Sequence, residues 1–353
     1  MGGYKSKATI RALRTVSSRL QEILSTVLPL RYFHTGDHDL TDQGNCRTAA
    51  VNRATGPPPS MRELSYVTPT DPAWKRWLIA TIEDISGRRK ILPYYQQWRR
   101  DFVGKSPSMM RDGLDLIDVN LDIRANGAWP PKLPPGHPLV MIANHPFGIG
   151  DGVAALSLAE ELGRPYRVLI NNDLLRVPEV RPYALPIDFS ESREAVEMNL
   201  RSRAEARRLL KEGVTIIVFP AGGVATAHNP FGKAEELPWK TFTARLVQLA
   251  EASVLPVFFE GQNSVLFHAV SRVSLTLRLS LLVSEFRNMP GSTFNVHVGE
   301  VTPFSAIPNR ANRMELTREL YLLVRRLDPA AAGKSDEDLE PTPPDKRPAY
   351  PWE

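Results

Sequence analysis

Residues 140–152 read VMIANHPFGIGDG, and this stretch decides the fold that we predict. A run of four apolar residues leads into Asn144 and His145, and a helical pattern follows from Val153. A short apolar run is typical of a buried β-strand, and an immediate change to helix is typical of an α/β sheet. We therefore expect His145 at the carboxyl edge of a sheet, where open α/β folds usually bind their ligands.

The same alternation continues along the chain. Further apolar, strand-like runs occupy residues 167–170, 214–219 and 254–259, and a strand-rich portion is predicted at 273–283 and 294–301. Helical patterns occupy residues 152–163, 191–212, 235–252 and 311–327. Strands that alternate with longer helices indicate an α/β fold in which helices cover the sheet.

The ends of the chain have a different character. Residues 1–33 predict a basic amphipathic helix, which fits an anionic bilayer and fits a core face equally well. Residues 34–72 are polar and rich in Gly and Pro, as a flexible linker is. The main domain is predicted at 73–327, with a helical lead-in at 73–122 and an α/β core at 138–305. The Pro-rich, charged tail at 328–353 is predicted to be disordered.

Composition narrows the choice of partners. The 353 residues carry 44 Lys and Arg against 39 Asp and Glu, a net charge of +5. This excess favours phospholipid head groups, nucleic acid or an acidic carrier protein, although many proteins without such partners share it. No apolar run reaches the length of a transmembrane helix, so a lipid enzyme of this sequence is expected to lie on the membrane. The single Cys46 excludes an internal disulfide, and the histidine spacing predicts no metal site.

His145 and Asp151 are the candidate reactive pair. Gly148 and Gly150 allow a turn that folds the imidazole back onto the carboxylate. A carboxylate at one ring nitrogen fixes the tautomer, and the other nitrogen can then take a proton from an alcohol. The alternative interpretation is structural: Asp151 is a helix cap and His145 a turn residue.

Three further segments follow predicted strands. Residues 218–225 (VFPAGGVA) place adjacent glycines at a strand exit, where backbone N–H groups can bind an oxyanion or a phosphate. Residues 184–193 (ALPIDFSESR) lead into a basic helix, and Arg193 is able to hold a phosphate or carboxylate. Residues 254–264 (VLPVFFEGQNS) form a buried strand and a polar turn. Taken singly, each segment is equally compatible with an ordinary turn or a solvated helix face.

Together, in this order, the segments resemble the glycerolipid acyltransferase superfamily, and more closely its putative hemolysin or lyso-ornithine-lipid acyltransferase-like branch. The resemblance covers about residues 75–305, including 237–245 (LPWKTFTAR) and Pro256 of the fourth segment. It implies a glycerolipid-acyltransferase-like mixed sheet with an N-terminal helical extension, and a catalytic pair of His145 and Asp151. The substrate-binding residues that we predict on this basis are Asn144, Gly148, Arg193, Phe219, Pro220, Gly222, Gly223 and Lys240.

Two positions depart from the superfamily pattern. Five residues, rather than four, separate His145 from Asp151, a spacing that resembles the hemolysin-like branch. Ala221 stands where the superfamily usually has a Glu associated with binding the acceptor phosphate. The second departure argues against lysophosphatidic acid as acceptor and favours an aminoacyl or otherwise modified lysolipid.

The resemblance implies an O-acyltransferase that moves a fatty acyl group from acyl-CoA or acyl carrier protein to a lysolipid hydroxyl. His145 would be the general base, and no cofactor is needed beyond the thioester co-substrate. The expected partners are an anionic membrane surface, a lysolipid and an acyl carrier protein, at the cytoplasmic face of a bacterial inner membrane. A lipid hydrolase lacks support because no Gly-x-Ser-x-Gly elbow occurs. A non-catalytic lipid-binding protein is the alternative, and no motif supports a nucleic-acid binder.

Overall fold

The computed structural model describes residues 88–190, 192–272 and 275–343. The predicted N-terminal helix (1–33), the linker (34–72) and the first part of the helical lead-in lie outside the described residues, as do residues 344–353 of the tail. Within the described part of the chain, no helix is both long and apolar enough to cross a bilayer.

The helices and strands alternate through most of the described chain. The helices are α1 (Arg88–Asp101), α2 (Met109–Leu116), α3 (Ile149–Glu161), α4 (Arg193–Lys211), α5 (Phe242–Ala250), α6 (Val265–Ser271), α7 (Leu275–Arg287), α8 (Arg313–Arg325) and α9 (Asp336–Leu339). The strands are β1 (Asn120–Ala125), β2 (Leu139–Ala143), β3 (Tyr166–Asn171), β4 (Ala184–Ile187), β5 (Thr215–Val218), β6 (Thr226–Ala227), β7 (Ala234–Glu235), β8 (Ser253–Phe259) and β9 (Thr293–Val298). Short 3-10 turns occupy Asn172–Arg176, Pro178–Tyr183, Phe304–Ala306 and Pro329–Ala331.

Seven strands form one mixed sheet in the order β1-β9-β8-β2-β5-β3-β4. Neighbouring strands are parallel except at the β8–β9 pair, so β1 and β9 run opposite to the other five. Strands β6 and β7 form a separate antiparallel pair. The predicted α/β class with a mixed sheet covered by helices is confirmed.

Helices cover both faces of this sheet. Every residue of β2 and β8 is buried, as expected for central strands with a packed layer on each side. One core joins alternate strand residues to α2 and α3, and the other joins the remaining residues to α4, α5 and α8. Burial of this apolar surface, rather than helix or strand propensity, supplies most of the stabilisation.

The structure corrects the prediction at several elements. Residues 275–287 form helix α7, whereas the alternating sequence predicted a strand over 273–283. The predicted helix at 235–252 begins only at Phe242, since residues 234–235 pair as β7 and Pro238 follows. The helical lead-in ends in strand β1, which lies before the predicted core range.

The predicted disorder of the tail is wrong for residues 328–343. Helix α9 begins with a capping box made by Ser335 and Asp338. Leu339 is buried against Leu322 and Ala331. The composition of the segment is polar, but one apolar side chain in a cap-stabilised turn is enough to pack it onto α8.

Candidate active site

The carboxyl ends of β2, β5 and β8 meet at one edge of the sheet, and the predicted pair lies there. His145 follows β2, and Asp151 lies in the first turn of α3. His145 Nδ1 is 3.0 Å from Asp151 Oδ1. The two atoms are within ion-pair distance but do not have the geometry of a hydrogen bond.

Asp151 uses both of its carboxylate oxygens. Oδ2 accepts a hydrogen bond of 2.8 Å from the backbone N–H of Phe147, while Oδ1 faces the imidazole. The Asp151 side chain is fully buried. The N-terminus of α3 favours the negative charge, because its unsatisfied N–H groups carry partial positive charge. One carboxylate therefore stabilises the start of the helix and orients His145.

The turn between His145 and Asp151 depends on a glycine. Gly148 has φ of +87°, and a Cβ there would lie 2.9 Å from Leu282 Cδ2 and 3.1 Å from Val224 Cγ2. Both the backbone conformation and the space require a residue without a side chain. The extra residue between His145 and Asp151 is accommodated by this turn.

The backbone of His145 is held on two sides. Its N–H donates to Glu236 Oε1 at 3.0 Å, and its carbonyl accepts from the N–H of Ala225 at 2.8 Å. Glu236 Oε2 also accepts from Trp239 Nε1 at 3.2 Å. The segments that follow β5 and β7 thus position the histidine.

The imidazole lies beside an aromatic ring and keeps one nitrogen accessible. The ring centroids of His145 and Phe219 are 4.3 Å apart. The His145 side chain is 18% exposed, and Nε2 has no hydrogen-bond partner among the described residues. This arrangement is suited to accepting a proton from a substrate hydroxyl at Nε2 while Nδ1 faces Asp151.

The backbone N–H groups of the two glycines in the turn after β5 differ in their hydrogen bonds. The N–H of Gly222 closes a turn onto the carbonyl of Phe219 at 3.0 Å, so this donor is not free for an oxyanion. The N–H of Gly223 donates to no acceptor among the described residues. Of the two predicted glycines, Gly223 therefore keeps the free N–H, and Gly222, with φ of +69°, forms the turn.

A buried arginine supports the same turn. Arg278 of α7 donates to the carbonyl of Val224 at 2.5 Å and to Thr226 Oγ1 at 2.6 Å. Its guanidinium also lies 4.9 Å from the centre of the Phe267 ring. Since Ala225 binds the His145 carbonyl, these contacts extend the support of the histidine to α7.

Glu236, which accepts the hydrogen bond from the His145 N–H, has a raised pKa. Burial raises the pKa of its carboxyl to about 7, and the hydrogen bonds from Trp239 and His145 and the positive charge of Arg325 only partly oppose the shift. Burial disfavours the ionised form of a carboxyl group. Glu236 therefore changes charge near neutral pH while it holds the backbone of His145.

Several predicted substrate-binding residues have structural contacts. Both ends of the Asn144 side-chain amide bond the backbone of Phe259, at 2.8 and 2.7 Å, so Asn144 joins β2 to β8. Its contact with substrate stays a prediction. Pro220 is buried, and its carbonyl accepts from the N–H of Lys240 at 2.9 Å. The Lys240 side chain is exposed.

Arg193 lies at the start of α4 and is not brought against the pair. Its side chain is 90% exposed and contacts Glu197, with 3.8 Å between Nε and Oε1. An exposed pair at this distance contributes little stability. The Arg193 side chain is thus exposed to solvent, six residues after the carboxyl end of β4.

Sequence reasoning missed Glu236 and Arg278. Glu236 stands 91 residues from His145 in the chain, and Arg278 stands 52 residues from Thr226. No local pattern marks Glu236. The one available signal was a charged residue, Arg278, inside an otherwise apolar segment, where burial requires partners.

The fold and this site define an α/β protein with a histidine–carboxylate pair at the carboxyl edge of its sheet. A family model described as "Acyltransferase" matches residues 126–327. The chain belongs to this acyltransferase family and is an enzyme of that class, which confirms the superfamily predicted from the sequence. The particular branch stays a prediction.

Two curated relatives and one solved structure are similar to the chain. Proteins called lyso-glycine lipid O-acyltransferase, from Phocaeicola vulgatus and Bacteroides thetaiotaomicron, are each 27% identical to it. The alignments cover 54% of this chain and 67% and 69% of those proteins. The crystal structure of the 1-acyl-sn-glycerophosphate (LPA) acyltransferase PlsC from Thermotoga maritima is 17% identical, with a TM-score of 0.43 over 73% of this chain and 94% of that one.

Proposed function

We propose that this enzyme transfers a fatty acyl group from a thioester donor to the hydroxyl of a lysolipid, with His145 as general base. The observation that carries the proposal is the 3.0 Å approach of His145 Nδ1 to the buried Asp151, with Nε2 left accessible. A base that is oriented in this way raises the nucleophilicity of an alcohol without a covalent acyl-enzyme.

The reaction is a direct transfer between two substrates. Nε2 takes the hydroxyl proton as the acceptor oxygen forms a bond to the thioester carbonyl carbon. The tetrahedral intermediate then breaks its C–S bond, and the imidazolium returns the proton to the departing thiolate. Asp151 offsets the positive charge of the ring between these steps, and the N–H of Gly223 stabilises the oxyanion.

The acceptor that we propose is a lysolipid with an amino-acid head group. Two considerations support it: the curated relatives are named for lyso-glycine lipid, and Ala221 replaces the usual Glu of the third segment. Ala221 is buried in the core, so its position offers no polar group to an acceptor phosphate. The donor is acyl-CoA or acyl carrier protein, and the site of action is an anionic membrane surface, at the cytoplasmic face of a bacterial inner membrane.

The test is acyl transfer by wild type, His145→Ala and Asp151→Asn. Labelled acyl-CoA and acyl carrier protein are offered in turn with lyso-glycine lipid, lyso-ornithine lipid and lysophosphatidic acid. We expect transfer to an amino-acid lysolipid, loss of transfer in His145→Ala, and a fall of about a hundredfold or more in Asp151→Asn. The asparagine keeps an oxygen for the Phe147 N–H but presents a donor to the ring, which selects the wrong tautomer.

Thermal melting of both variants provides the control, because each should remain folded. Transfer that is indifferent to His145 would overturn the proposed base. Tight lysolipid binding without transfer from either donor would favour the alternative of a non-catalytic lipid-binding protein. Transfer to lysophosphatidic acid in preference to the amino-acid lysolipids would overturn the proposed acceptor.

A further inference from the structure

Large apolar side chains are exposed around the edge of the sheet that carries His145. Phe189 is 57% exposed, Phe231 65% and Leu266 56%, and we call these three residues the apolar rim. Phe189 follows β4, Phe231 lies between β6 and β7, and Leu266 is in the first turn of α6 after β8. Exposing aromatic and aliphatic side chains to water is unfavourable in free energy, and a group of them marks an interaction surface.

Contacts within the structure link the rim to the site. A Cβ at Gly222 would lie 3.3 Å from the Phe189 ring, so this ring borders the glycine-rich turn. The segment of Phe231 is tied to the turn after β8 by Gln262, which donates to the carbonyl of Gly232 at 3.1 Å and accepts from the N–H of Ala234 at 2.8 Å. Rim residues therefore follow strands on both sides of β2, the strand that ends at His145.

Helix α4 begins four residues after Phe189 and carries a basic surface along its length. Val196 and Leu200 are 53% and 58% exposed, and Arg203 and Arg207 follow at the next helical steps of three and four. Residues at this spacing lie along one side of a helix. We call these four residues the α4 stripe.

The ion pairs of α4 lie on a different side of the helix from the α4 stripe. Glu197 contacts Arg201, and Glu205 contacts Arg208, on the side away from the stripe. Arg203 lies 4.8 Å from the centre of the Phe242 ring. Among the described residues, neither Arg203 nor Arg207 has a carboxylate within ion-pair distance, so the stripe presents uncompensated positive charge beside exposed apolar side chains.

We propose that the apolar rim and the α4 stripe together dock this enzyme on an anionic lipid bilayer, with the sheet edge that carries His145 facing the lipid. The inference rests on the proposed function, since it gives a lysolipid acceptor a direct path from the bilayer to His145. Apolar side chains enter the interface and arginines bind anionic head groups, a combination that suits a bilayer. Three inserted apolar side chains favour lipid over a soluble acidic carrier protein, which is recognised mainly through charge.

The test compares vesicle binding of the full chain with that of two matched double variants. Phe231→Ser with Leu266→Ser removes rim residues, whereas Leu249→Ser with Met314→Ser removes exposed apolar residues near the opposite edge, at the end of α5 and the start of α8. Vesicles contain either phosphatidylglycerol with phosphatidylethanolamine or phosphatidylcholine alone. We expect the rim variant to bind the anionic vesicles about tenfold more weakly and the opposite-edge variant to bind as wild type does.

A second pair of variants tests the charge and the insertion separately. Arg203→Gln with Arg207→Gln should reduce binding to anionic vesicles and flatten its dependence on salt, with little change on phosphatidylcholine. Leu266→Trp should add fluorescence that brominated lipids quench, whereas Met314→Trp should add fluorescence that they do not. This measurement does not require the serine variants to fold.

Activity separates failure of the docking surface from failure of the proposed function. We expect the Phe231 and Leu266 double variant to transfer acyl groups normally to detergent-dispersed lysolipid but about fivefold or more slowly to lysolipid in anionic vesicles. Equal vesicle binding by the two double variants, or no quenching at Leu266→Trp, would overturn the docking surface while leaving the chemistry intact. Unchanged vesicle binding, with slower transfer from acyl carrier protein alone, would identify the surface as a carrier-protein site and overturn the proposal.

Discussion

At the scale of residues, the structural and catalytic interpretations of Asp151 are compatible. A carboxylate has two oxygens, and here one caps the N–H of Phe147 while the other faces His145. The residue belongs to the first turn of α3 in either interpretation. The pairing with His145 then follows from the sharp turn at Gly148 rather than from helical spacing.

Glu236→Gln tests the acid beside His145. The pKa of Glu236 in the folded protein is about 7, above its ordinary value of 4.5. The stability that it contributes is therefore fully present below pH 4.5 and is lost as pH rises through 7. Between pH 5 and pH 8, we expect the free energy of unfolding of wild type to fall by about 2 to 3 kcal/mol relative to Glu236→Gln. Urea denaturation at both pH values measures this difference.

The exposed Glu337 of α9 supplies the control for Glu236. Glu337→Gln should show the same pH dependence as wild type. Parallel curves for wild type and Glu236→Gln would contradict the raised pKa. Activity provides a second readout, because the variant keeps an acceptor for the His145 N–H but loses the charge that appears near neutral pH.

At the scale of elements, α7 is a helix although its alternating apolar and polar residues predict a strand. Leucines alternate with Thr, Arg and Ser over residues 275–281, the pattern of a half-buried strand. Leucine favours helix by intrinsic propensity, and the helix places Arg278, Leu282 and Phe286 at steps of four on one side. Arg278 and Leu282 are buried, and Phe286 packs against the core. Tertiary contacts with the turn after β5 therefore select the helix.

Arg278→Met should destabilise this element and the turn that it supports. The variant removes the guanidinium donor of the Val224 carbonyl, which then keeps only the Thr226 hydroxyl, and it removes the contact with Thr226. We expect the free energy of unfolding to fall by about 2 to 3 kcal/mol, together with slower acyl transfer. Denaturation and activity are compared with Arg272→Met, which removes an exposed arginine after α6. Equal stability of the two variants would contradict the role of Arg278.

At the scale of the whole molecule, the mixed sheet gathers distant segments at one edge. His145, the glycine-rich turn, Phe189 and Leu266 follow strands that run in the same direction. The segment of Phe231 is tied to the turn after β8 by Gln262. The C-terminal segment packs against α8, where Leu339 contacts Leu322. Exposed ion pairs such as Arg326 with Asp336, at 2.6 Å, add little to this packing.

Deleting residues 329–353 tests the ordered part of the tail. The deletion exposes the surface that Leu339 and Ala331 cover, so we expect the free energy of unfolding to fall by about 2 kcal/mol. Deleting residues 344–353 alone keeps every residue that makes these contacts and serves as the control. Chemical denaturation of both truncations makes the comparison. A full truncation as stable as wild type would mean that the segment packs without contributing to stability.

The sequence by itself determined the α/β class, the position of His145 at the end of β2 and its pairing with Asp151. These features depend on short apolar runs and on residues a few positions apart, where local geometry decides the outcome. Only the tertiary structure decided the roles of Glu236, Asn144 and Arg278, whose partners lie 91, 115 and 52 residues away. A buried polar group must find a partner wherever the chain supplies one, and strand order rather than local pattern determines which partner is near.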